Sequence, residues 1–296
     1  MTRVQANLVL LLTAAIWGAA FVSQNLAMEH MGPLWFVSIR FLIGFFVVLP
    51  FAIRESRKAA TPLTPKSWVA FVVIGIMLAG GAITQQIGML TTTVTNASFL
   101  TGLYVLVVPV LSVVFLRKKP HWIIWPAALM AIAGIYYLSG GELSKLTVGD
   151  FWMMACALCF GLQVLLVGVF VSDSNRPLTL SAVQFLVTGI GTLIAAVPTE
   201  AVSLDGIWSA GLSILYAGVF SSGIAYTLQV VGQRWTTAAQ AAIFLSSESL
   251  FGALFGALLL GERITGMGYA GCALIFLAMI LVEIVPELSK ANYRRT

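Results

Sequence analysis

The sequence predicts an all-α polytopic membrane protein whose ten transmembrane helices form two inverted five-helix repeats. Three observations support this fold class: few residues are charged, ten apolar segments follow one another, and one half of the chain aligns with the other. Of the 296 residues, 59% are hydrophobic and only 9% are charged. A soluble domain carries about 25% charged residues, so this composition excludes a globular domain with a water-exposed surface.

The ten apolar segments have roughly the length that crosses a bilayer, which is about 20 residues. Backbone polar groups at membrane depth must be satisfied internally, so each segment is predicted to be a helix. The segments are 6–28, 34–53, 67–89, 94–116, 122–139, 149–171, 178–197, 207–230, 238–260 and 266–285. The first is interpreted as a retained signal anchor, because further spans follow it at once.

Basic residues in the loops predict the orientation. With the amino terminus in the cytoplasm, 13 of the 16 Lys and Arg residues fall on the inner side, because only Lys145 and Arg263 fall outside and Arg40 lies within a segment. Cytoplasmic loops are enriched in Lys and Arg. We therefore expect a bacterial inner-membrane protein with both termini cytoplasmic. The net charge of +5 is explained by these topology charges, and no nucleic-acid partner is predicted.

The two halves of the chain are related by a constant shift in the numbering, which aligns 85–120 with 229–264 without a gap. Aligned pairs include Gln85 with Gln229, Gly88 with Gly232, Thr92 with Thr236, Arg40 with Gln184 and, one residue out of phase, Trp17-Gly18 with Phe160-Gly161. Five helices is an odd number, so the halves 1–140 and 141–296 are expected to insert in opposite orientations. Secondary transporters are commonly built in this way, with alternating access to a site near the bilayer midplane.

Glu248 has the clearest functional interpretation among the polar residues of the segments. It lies about 15 Å along segment 238–260, near the middle of a hydrocarbon layer about 30 Å thick, where an ionisable group costs at least about 2.5 kcal/mol. It is interpreted either as a protonatable or pathway group, or as a structural acid. Arg40 has three interpretations: holding a substrate carboxylate, pairing with Glu248, or extending to the interface. Both residues are candidates for charge or proton coupling.

The candidate substrate-binding residues are polar or aromatic side chains within the segments. They are Trp17, Phe21, Gln86, Asn96, Tyr104, Gln163, Tyr226, Ser246 and Glu248. The alternative for each amide is an interhelical hydrogen bond, and for each aromatic ring it is packing against lipid.

Catalytic residues, metal ligands and cofactors are not predicted. The two histidines, His30 and His121, fall in loops on opposite sides, which leaves the serines at 221–222 without a base and a zinc ion without ligands. A phosphate-binding loop ending in Lys-Ser/Thr is absent from the sequence. The expected partners are a small-molecule substrate and membrane lipid, and a monomer is one possible state.

Four motifs carry a family resemblance: Trp17-Gly18, Arg40-Phe41-Leu42, Asn96 to Leu100, and Leu258 to Glu262, with Glu248 upstream of Glu262. Through them the chain resembles the EamA family of the drug/metabolite transporter superfamily over nearly its full length. The resemblance is greatest to the YddG type of aromatic amino acid exporter.

The resemblance implies ten helices in two inverted repeats, a cavity lined chiefly by helices 1, 3, 4, 6, 8 and 9, and export of amino acids or related metabolites. Ser249 stands where the family commonly has Pro, and Pro109 lies one turn beyond the equivalent position of the first half. The positions of the kinks are therefore left open. Two alternatives also remain, a drug or organic-cation exporter and a non-transporting scaffold.

Overall fold

The computed structural model describes residues 1–92, 94–117, 119–138, 147–260 and 265–293. All regular secondary structure in these ranges is helical. Within these described ranges, eight helices are long and apolar enough to cross a membrane: Arg3–Met28, Pro33–Arg57, Pro65–Gly88, Val148–Ser174, Pro177–Thr199, Gly211–Gln233, Ala238–Leu259 and Gly266–Pro286. Two shorter apolar helices, Leu100–Leu116 and Ile124–Tyr137, fall on the fourth and fifth predicted segments. The chain is thus an all-helical polytopic membrane protein, as predicted.

In finer detail the helices divide at several internal breaks. In chain order they are α1 Arg3–Met28, α2 Pro33–Arg57, α3 Pro65–Gly88, α4 Val94–Gly102, α5 Tyr104–Leu116, α6 Ile124–Leu138, α7 Val148–Ser174, α8 Pro177–Thr199, α9 Leu204–Ser209, α10 Gly211–Leu215, a π-helical segment Tyr216–Tyr226, α11 Thr227–Gln233, α12 Ala238–Leu245, α13 Glu248–Leu260 and α14 Gly266–Tyr293. Threonine side chains cap several amino ends, as at Thr64 and Thr237, because they accept from otherwise unpaired N–H groups.

Two of the predicted spans are broken near their middles. The fourth breaks at Leu103, between α4 and α5, and the ninth breaks at Ser246 and Ser247, between α12 and α13. The Ser246 and Ser247 hydroxyls donate to the carbonyls of Ile243 and Phe244, at 2.9 and 2.6 Å. Side-chain hydroxyls make such breaks tolerable at membrane depth because they bond freed backbone groups. The shift that relates the two halves aligns Leu103 with Ser247, so the kinks that the sequence left open lie at corresponding positions.

The loops gather on two faces of the bundle. One face, which we call the N-terminal face, holds the start of α1 and the α2–α3, α7–α8 and α11–α12 loops. There Arg176 donates to the carbonyl oxygen of Glu55 at 3.3 Å, and Arg234 donates to Asn175. A Cβ at Gly232 would contact the first turns of α1. The other face, called the opposite face, holds the α1–α2, α3–α4 and α8–α9 loops.

Helices α2 and α8 are antiparallel and cap each other. Each begins with proline, and the residue before it provides no capping side chain, so the first N–H groups need acceptors from elsewhere. Glu55, in the last turn of α2, accepts from Leu178 N and Thr179 N at 3.1 and 2.8 Å. Glu200, at the end of α8, accepts from the first N–H groups of α2 at 3.0–3.2 Å. The two helices are therefore fastened together at both ends.

Glycines permit close helix contacts that repeat in the two halves. A Cβ on Gly18 of α1 would lie 2.5 Å from Phe251 Cβ in α13, and one on Gly161 of α7 would lie 3.1 Å from Val107 Cβ in α5. The shift between the halves relates Val107 to Phe251, and it relates Gly18 to Gly161 with the displacement of one position already seen in the sequence. The same contact is thus made twice, at positions that the alignment of the halves relates.

The π-helical segment lies where the two halves differ by one residue. Gly75 of α3 packs against α8, and Gly218 packs against α2 in the corresponding manner. The interval from Gly75 to Gly218 is one position shorter than the interval from Gly88 to Gly232. A π-helical turn accommodates one extra residue in a helix, frequently at functional sites. The eighth predicted span therefore carries an insertion between residues 218 and 232, within or just after Tyr216–Tyr226.

Candidate functional site

A small polar cavity lies at the two helix breaks. Its volume is about 30 Å³, and because one water needs about 10–15 Å³, it holds a few waters at most. The lining residues are Trp17, Ala20, Phe21, Gln24, Arg40, Gln85, Tyr104, Phe160, Gln163, Val164, Ser221, Tyr226, Gln229 and Glu248. Polar and aromatic side chains dominate this list, in a chain whose segments are otherwise apolar. In this conformation the cavity is contracted around its own side chains.

Most of the lining comes from positions that the two halves share. The pairs that the shift relates, directly or one position out of phase, are Trp17 with Phe160, Ala20 with Gln163, Phe21 with Val164, Gln85 with Gln229, and Tyr104 with Glu248. A cavity built from paired positions lies where the two halves meet. In transporters with inverted repeats, the binding site occupies the same place and is formed by broken helices.

Glu248 and Tyr104 begin the second half-helix at each break. The Glu248 side chain is 4% exposed and that of Tyr104 is 2% exposed, so both are almost fully removed from solvent. The Tyr104 hydroxyl faces the Glu248 carboxylate, but neither Tyr104 Oη nor Glu248 Oε1 has a hydrogen-bond partner within 3.5 Å. A buried polar group without a partner costs about 1–3 kcal/mol. These atoms therefore offer unsatisfied hydrogen-bonding capacity to whatever enters the cavity.

Arg40 brings a positive charge to the same cavity and is 2% exposed. Its Nη1 donates to Gln24 Oε1 at 3.0 Å, and its guanidinium carbon lies 5.4 and 5.0 Å from the ring centres of Phe36 and Phe41. Its Nε has no partner. Within the described residues no ion pair joins Arg40 to Glu248, so of the sequence-based interpretations pairing is not observed. Two ionisable groups of opposite type thus line one cavity without forming an ion pair.

A chain of glutamines forms a polar wall beside the charges. Gln163 Nε2 donates to Gln184 Oε1 at 3.1 Å, and Gln229 Nε2 donates to Gln163 Oε1 at 2.9 Å and to Gln233 Oε1 at 3.1 Å. Gln233 Nε2 then donates to the carbonyl oxygen of Val164 at 2.8 Å. Gln184 Nε2 and Gln229 Oε1 remain unpartnered. The network therefore fixes the positions of these two atoms but leaves their hydrogen-bonding capacity unused.

Aromatic rings form the remaining wall. Trp17 and Tyr226 lie 4.6 Å apart between ring centroids, and Tyr226 lies 5.7 Å from Phe41. Trp17 Nε1 donates to the carbonyl oxygen of Ser221 at 3.2 Å. Because Ser221 belongs to the π-helical segment, that segment fixes the position of an aromatic wall residue. Phe21, which is 2% exposed, completes the wall.

A larger cavity of about 620 Å³ opens toward the N-terminal face; we call it the vestibule. Its lining residues are Ser112, Leu116, Lys119, Pro120, Leu165, Gly168, Val169, Ser172, Asp173, Thr236, Thr237, Ala238 and Ala239. On α7, Val164 lines the central cavity and its neighbour Leu165 lines the vestibule. Less than one helical turn of α7 therefore separates the two spaces.

At the opposite face the corresponding region is tightly packed. Thr92 Oγ1 donates to Asp150 Oδ1 at 2.5 Å, which joins the α3–α4 loop to the first turn of α7. A Cβ on Gly149 would contact the carbonyl oxygen of Gly88 and would lie 2.6 Å from Thr91 Oγ1. The backbone of α7 thus meets the end of α3 without intervening side chains. The structure combines a vestibule at one face with close packing at the other.

The structure brings together seven of the residues predicted for substrate binding or charge coupling: Trp17, Phe21, Arg40, Tyr104, Gln163, Tyr226 and Glu248. The Ser246 hydroxyl is instead bonded to the backbone. Gln86 is fully buried, with neither amide atom bonded, and does not line the cavity. The side chain of Asn96 lies outside the described residues.

Sequence reasoning did not select seven of the lining residues: Ala20, Phe160, Val164, Ser221, Gln24, Gln85 and Gln229. Applying the shift between the halves to the cavity residues already predicted would have found the first three. Ser221 contributes through its backbone, which no side-chain pattern reveals. Among the described residues, no group of three His, Cys, Asp or Glu side chains could hold a metal ion.

A model of the EamA-like transporter family matches residues 4–140 and again residues 147–284. An uncharacterized transporter of Archaeoglobus fulgidus is 30% identical over 282 residues, which cover 95% of this chain and 87% of that protein. The uncharacterized transporter YwfM of Bacillus subtilis is 26% identical over 295 residues, covering 96% of this chain and 95% of that protein.

A solved crystal structure superimposes on this chain with a TM-score of 0.80, at 17% sequence identity. The match covers 96% of this chain and 99% of the other. At this level of identity the similarity concerns the fold alone, and it extends over practically the whole bundle.

Proposed function

This chain belongs to the EamA-like transporter family, and on that premise we propose that it exports small zwitterionic metabolites, above all neutral amino acids, by alternating access around the central cavity. One observation carries the proposal: Arg40 and Glu248 line the same cavity, are almost fully buried and do not pair. Burying a charge is expensive unless the charge is paired.

An α-amino acid provides both missing partners. Its carboxylate is a bidentate acceptor that suits the planar donors of an arginine, and its ammonium group donates to the carboxylate of Glu248. The unpartnered Gln229 Oε1 and the Tyr104 hydroxyl beside Glu248 offer further hydrogen bonds to the ligand. The aromatic wall of Trp17 and Tyr226 then receives an apolar or aromatic side chain, because ligand sites combine apolar walls with a few placed polar groups.

The same charges argue against the two alternatives. An organic cation would satisfy Glu248 but would be repelled by Arg40, which stays charged in proteins. A non-transporting scaffold gains nothing from two unpaired buried charges, because each costs several kcal/mol. The amino-acid proposal uses both groups.

The charges of the loops support an orientation of the bundle in the membrane. The basic loop residues of the N-terminal face, such as Arg54, Arg57 and Lys66, favour a cytoplasmic location for that face. The vestibule would then receive substrate from the cytoplasm while the Thr92–Asp150 contact keeps the outer side closed. We take this conformation as the inward-facing state of an exporter in a bacterial inner membrane.

The proposed mechanism also needs two inverted repeats, which we place at 1–140 and 141–296. Support comes from the two family matches, at 4–140 and 147–284, and from the paired cavity positions. The reciprocal caps of α2 and α8 add to this support, because Glu55 and Glu200 make the same contact on opposite faces. Exchange of the two halves' conformations would open the opposite face and close the vestibule.

Transport assays with charge-edited substrates test the proposal. Purified protein in liposomes is given labelled phenylalanine together with one of two unlabelled competitors. Phenylalanine methyl ester lacks the carboxylate charge, and 3-phenylpropionate lacks the ammonium group. We expect saturable flux that both analogues inhibit at least about 30-fold more weakly than phenylalanine, because an unpaired buried charge costs about 2 kcal/mol or more.

Two variants make the test specific. Arg40→Gln should reduce discrimination against the ester, and Glu248→Gln should reduce discrimination against 3-phenylpropionate, each without affecting the other analogue. Stronger inhibition by the ester than by phenylalanine would favour a cation exporter. Absence of saturable flux with any amino acid would eliminate the proposal.

A further inference from the structure

A second groove lies on the side of the bundle, away from the central cavity and the vestibule, with which it shares no lining residue. Its volume is about 390 Å³. It is formed by α2, α3 and α8, and its lining residues are Phe45, Leu49, Ala52, Ile53, Ser56, Arg57, Trp68, Thr179, Ala182, Val183 and Leu186. We call it the α2–α8 groove.

The groove is apolar along its length and polar at one end. Phe45, Leu49, Ile53 and Arg57 recur at every fourth position and so form one stripe on α2. At about 1.5 Å per residue, the stripe runs for about 18 Å, which slightly exceeds one leaflet of a hydrocarbon core about 30 Å thick. The polar end lies at the N-terminal face, beside Trp68, a residue type that is typical of the membrane–water interface.

The positive charge at this end is free to bind a ligand. Arg57 is exposed, and in the part of the chain that the structure describes its guanidinium has no hydrogen-bond or ion-pair partner. The nearby carboxylate of Glu55 is directed to α8, where its oxygens accept from the Leu178 and Thr179 N–H groups and from Thr179 Oγ1. The groove thus ends in an available cation at headgroup depth.

We propose that the α2–α8 groove binds an anionic phospholipid, with its phosphate on Arg57 and one acyl chain along Phe45, Leu49 and Ile53. Charge complementarity selects this occupant: a basic side chain at the interface attracts anionic headgroups, whereas the apolar stripe at membrane depth requires a hydrocarbon chain. A free phosphate would use only the end of the groove, and a zwitterionic lipid would bring a cation of its own beside the phosphate that faces Arg57.

Native mass spectrometry of the detergent-solubilised protein measures the binding directly. With phosphatidylglycerol and phosphatidylcholine of identical acyl chains, we expect at least about fivefold tighter binding of phosphatidylglycerol, corresponding to about 1 kcal/mol for one basic residue. Arg57→Gln should remove this preference. Arg54→Gln and Lys58→Gln each remove one positive charge from a neighbouring position that does not line the groove. These two variants should keep the preference for phosphatidylglycerol.

A second variant tests the apolar part separately. Leu49→Trp fills the groove without changing charge and should weaken binding of both lipids, in protein whose thermal unfolding confirms a folded state. Equal losses in the three charge variants would indicate diffuse surface attraction and overturn the proposal. Binding of glycerol 3-phosphate as strong as that of the lipid would also overturn it, because the acyl chain would then contribute nothing.

Discussion

Replacing Gly18 by alanine tests whether the close contact between α1 and α13 supports the cavity. The added Cβ would lie 2.5 Å from Phe251 Cβ and 2.6 Å from Gly252 N, whereas favourable contacts between carbon atoms lie at about 3.5–4.0 Å. The two helices must therefore separate by roughly 1 Å to restore such a contact. Trp17 is the adjacent residue, so its hydrogen bond to Ser221 O, now 3.2 Å long, would be strained by the same movement.

The expected cost follows from opposing terms. Overpacking of a tight interface costs about 1–3 kcal/mol, and the better helix propensity of alanine returns up to about 1 kcal/mol. A net loss of about 1–2 kcal/mol lowers the melting temperature by about 2–8 °C, at about 2–4 °C per kcal/mol for a chain of this order of size. We expect transport to fall with it, because the cavity wall is displaced.

Matched glycines provide the controls for a thermal unfolding assay. A Cβ on Gly252 would have its nearest neighbours at 3.9 Å, an ordinary contact, and one on Gly191 would have none within 4 Å. Gly252→Ala and Gly191→Ala should therefore leave the melting temperature unchanged or slightly raised. If Gly18→Ala is as stable and as active as Gly191→Ala, the reasoning from this contact is refuted.

Three further changes have expected outcomes. Thr92→Val removes the hydrogen bond to the Asp150 carboxylate, and a hydrogen bond to a charged group is worth about 1.5–3 kcal/mol. Amide hydrogen exchange in the α3–α4 loop should therefore accelerate about tenfold or more. Unchanged protection would contradict a closing role for this contact. Glu200→Gln weakens the cap of α2 and should cost about 1 kcal/mol of stability, whereas Glu29→Gln, an exposed residue on the same face, should cost nothing measurable. Gln24→Leu leaves the buried guanidinium without its acceptor and should lower both the melting temperature and the affinity for carboxylate substrates; a fully active, equally stable variant would show that this acceptor is dispensable.

The elements that sequence reasoning located depend on long-range averages. The ten apolar segments are easy to recognise because hydropathy is averaged over the whole length of each span. The helices of the structure follow these segments. Glu248 and Arg40 stand out because an ionisable side chain in such a segment is rare. Both indeed lie in the central cavity. The shift between the halves also proved informative, since it relates Tyr104 to Glu248 at the two helix breaks.

Sequence reasoning missed features that depend on the local geometry of the helices, namely where a helix breaks and where a side chain points. The sequence left the positions of the kinks open, and the structure places the break of the fourth span at Leu103, with Pro109 inside α5. A polar side chain near the midplane does not reveal where it points. The Ser246 hydroxyl is consumed by the backbone, whereas Ser221 contributes its carbonyl oxygen through the π-helical segment.

The reciprocal caps of α2 and α8 restrict how the molecule moves. Each helix has its first turn held by a glutamate from the far end of its neighbour, so sliding by a single residue, about 1.5 Å, would break hydrogen bonds at both faces simultaneously. The two helices are therefore expected to move as one unit. Helix α2 reaches the central cavity through one long side chain, Arg40, so the position of that guanidinium is tied to both helices.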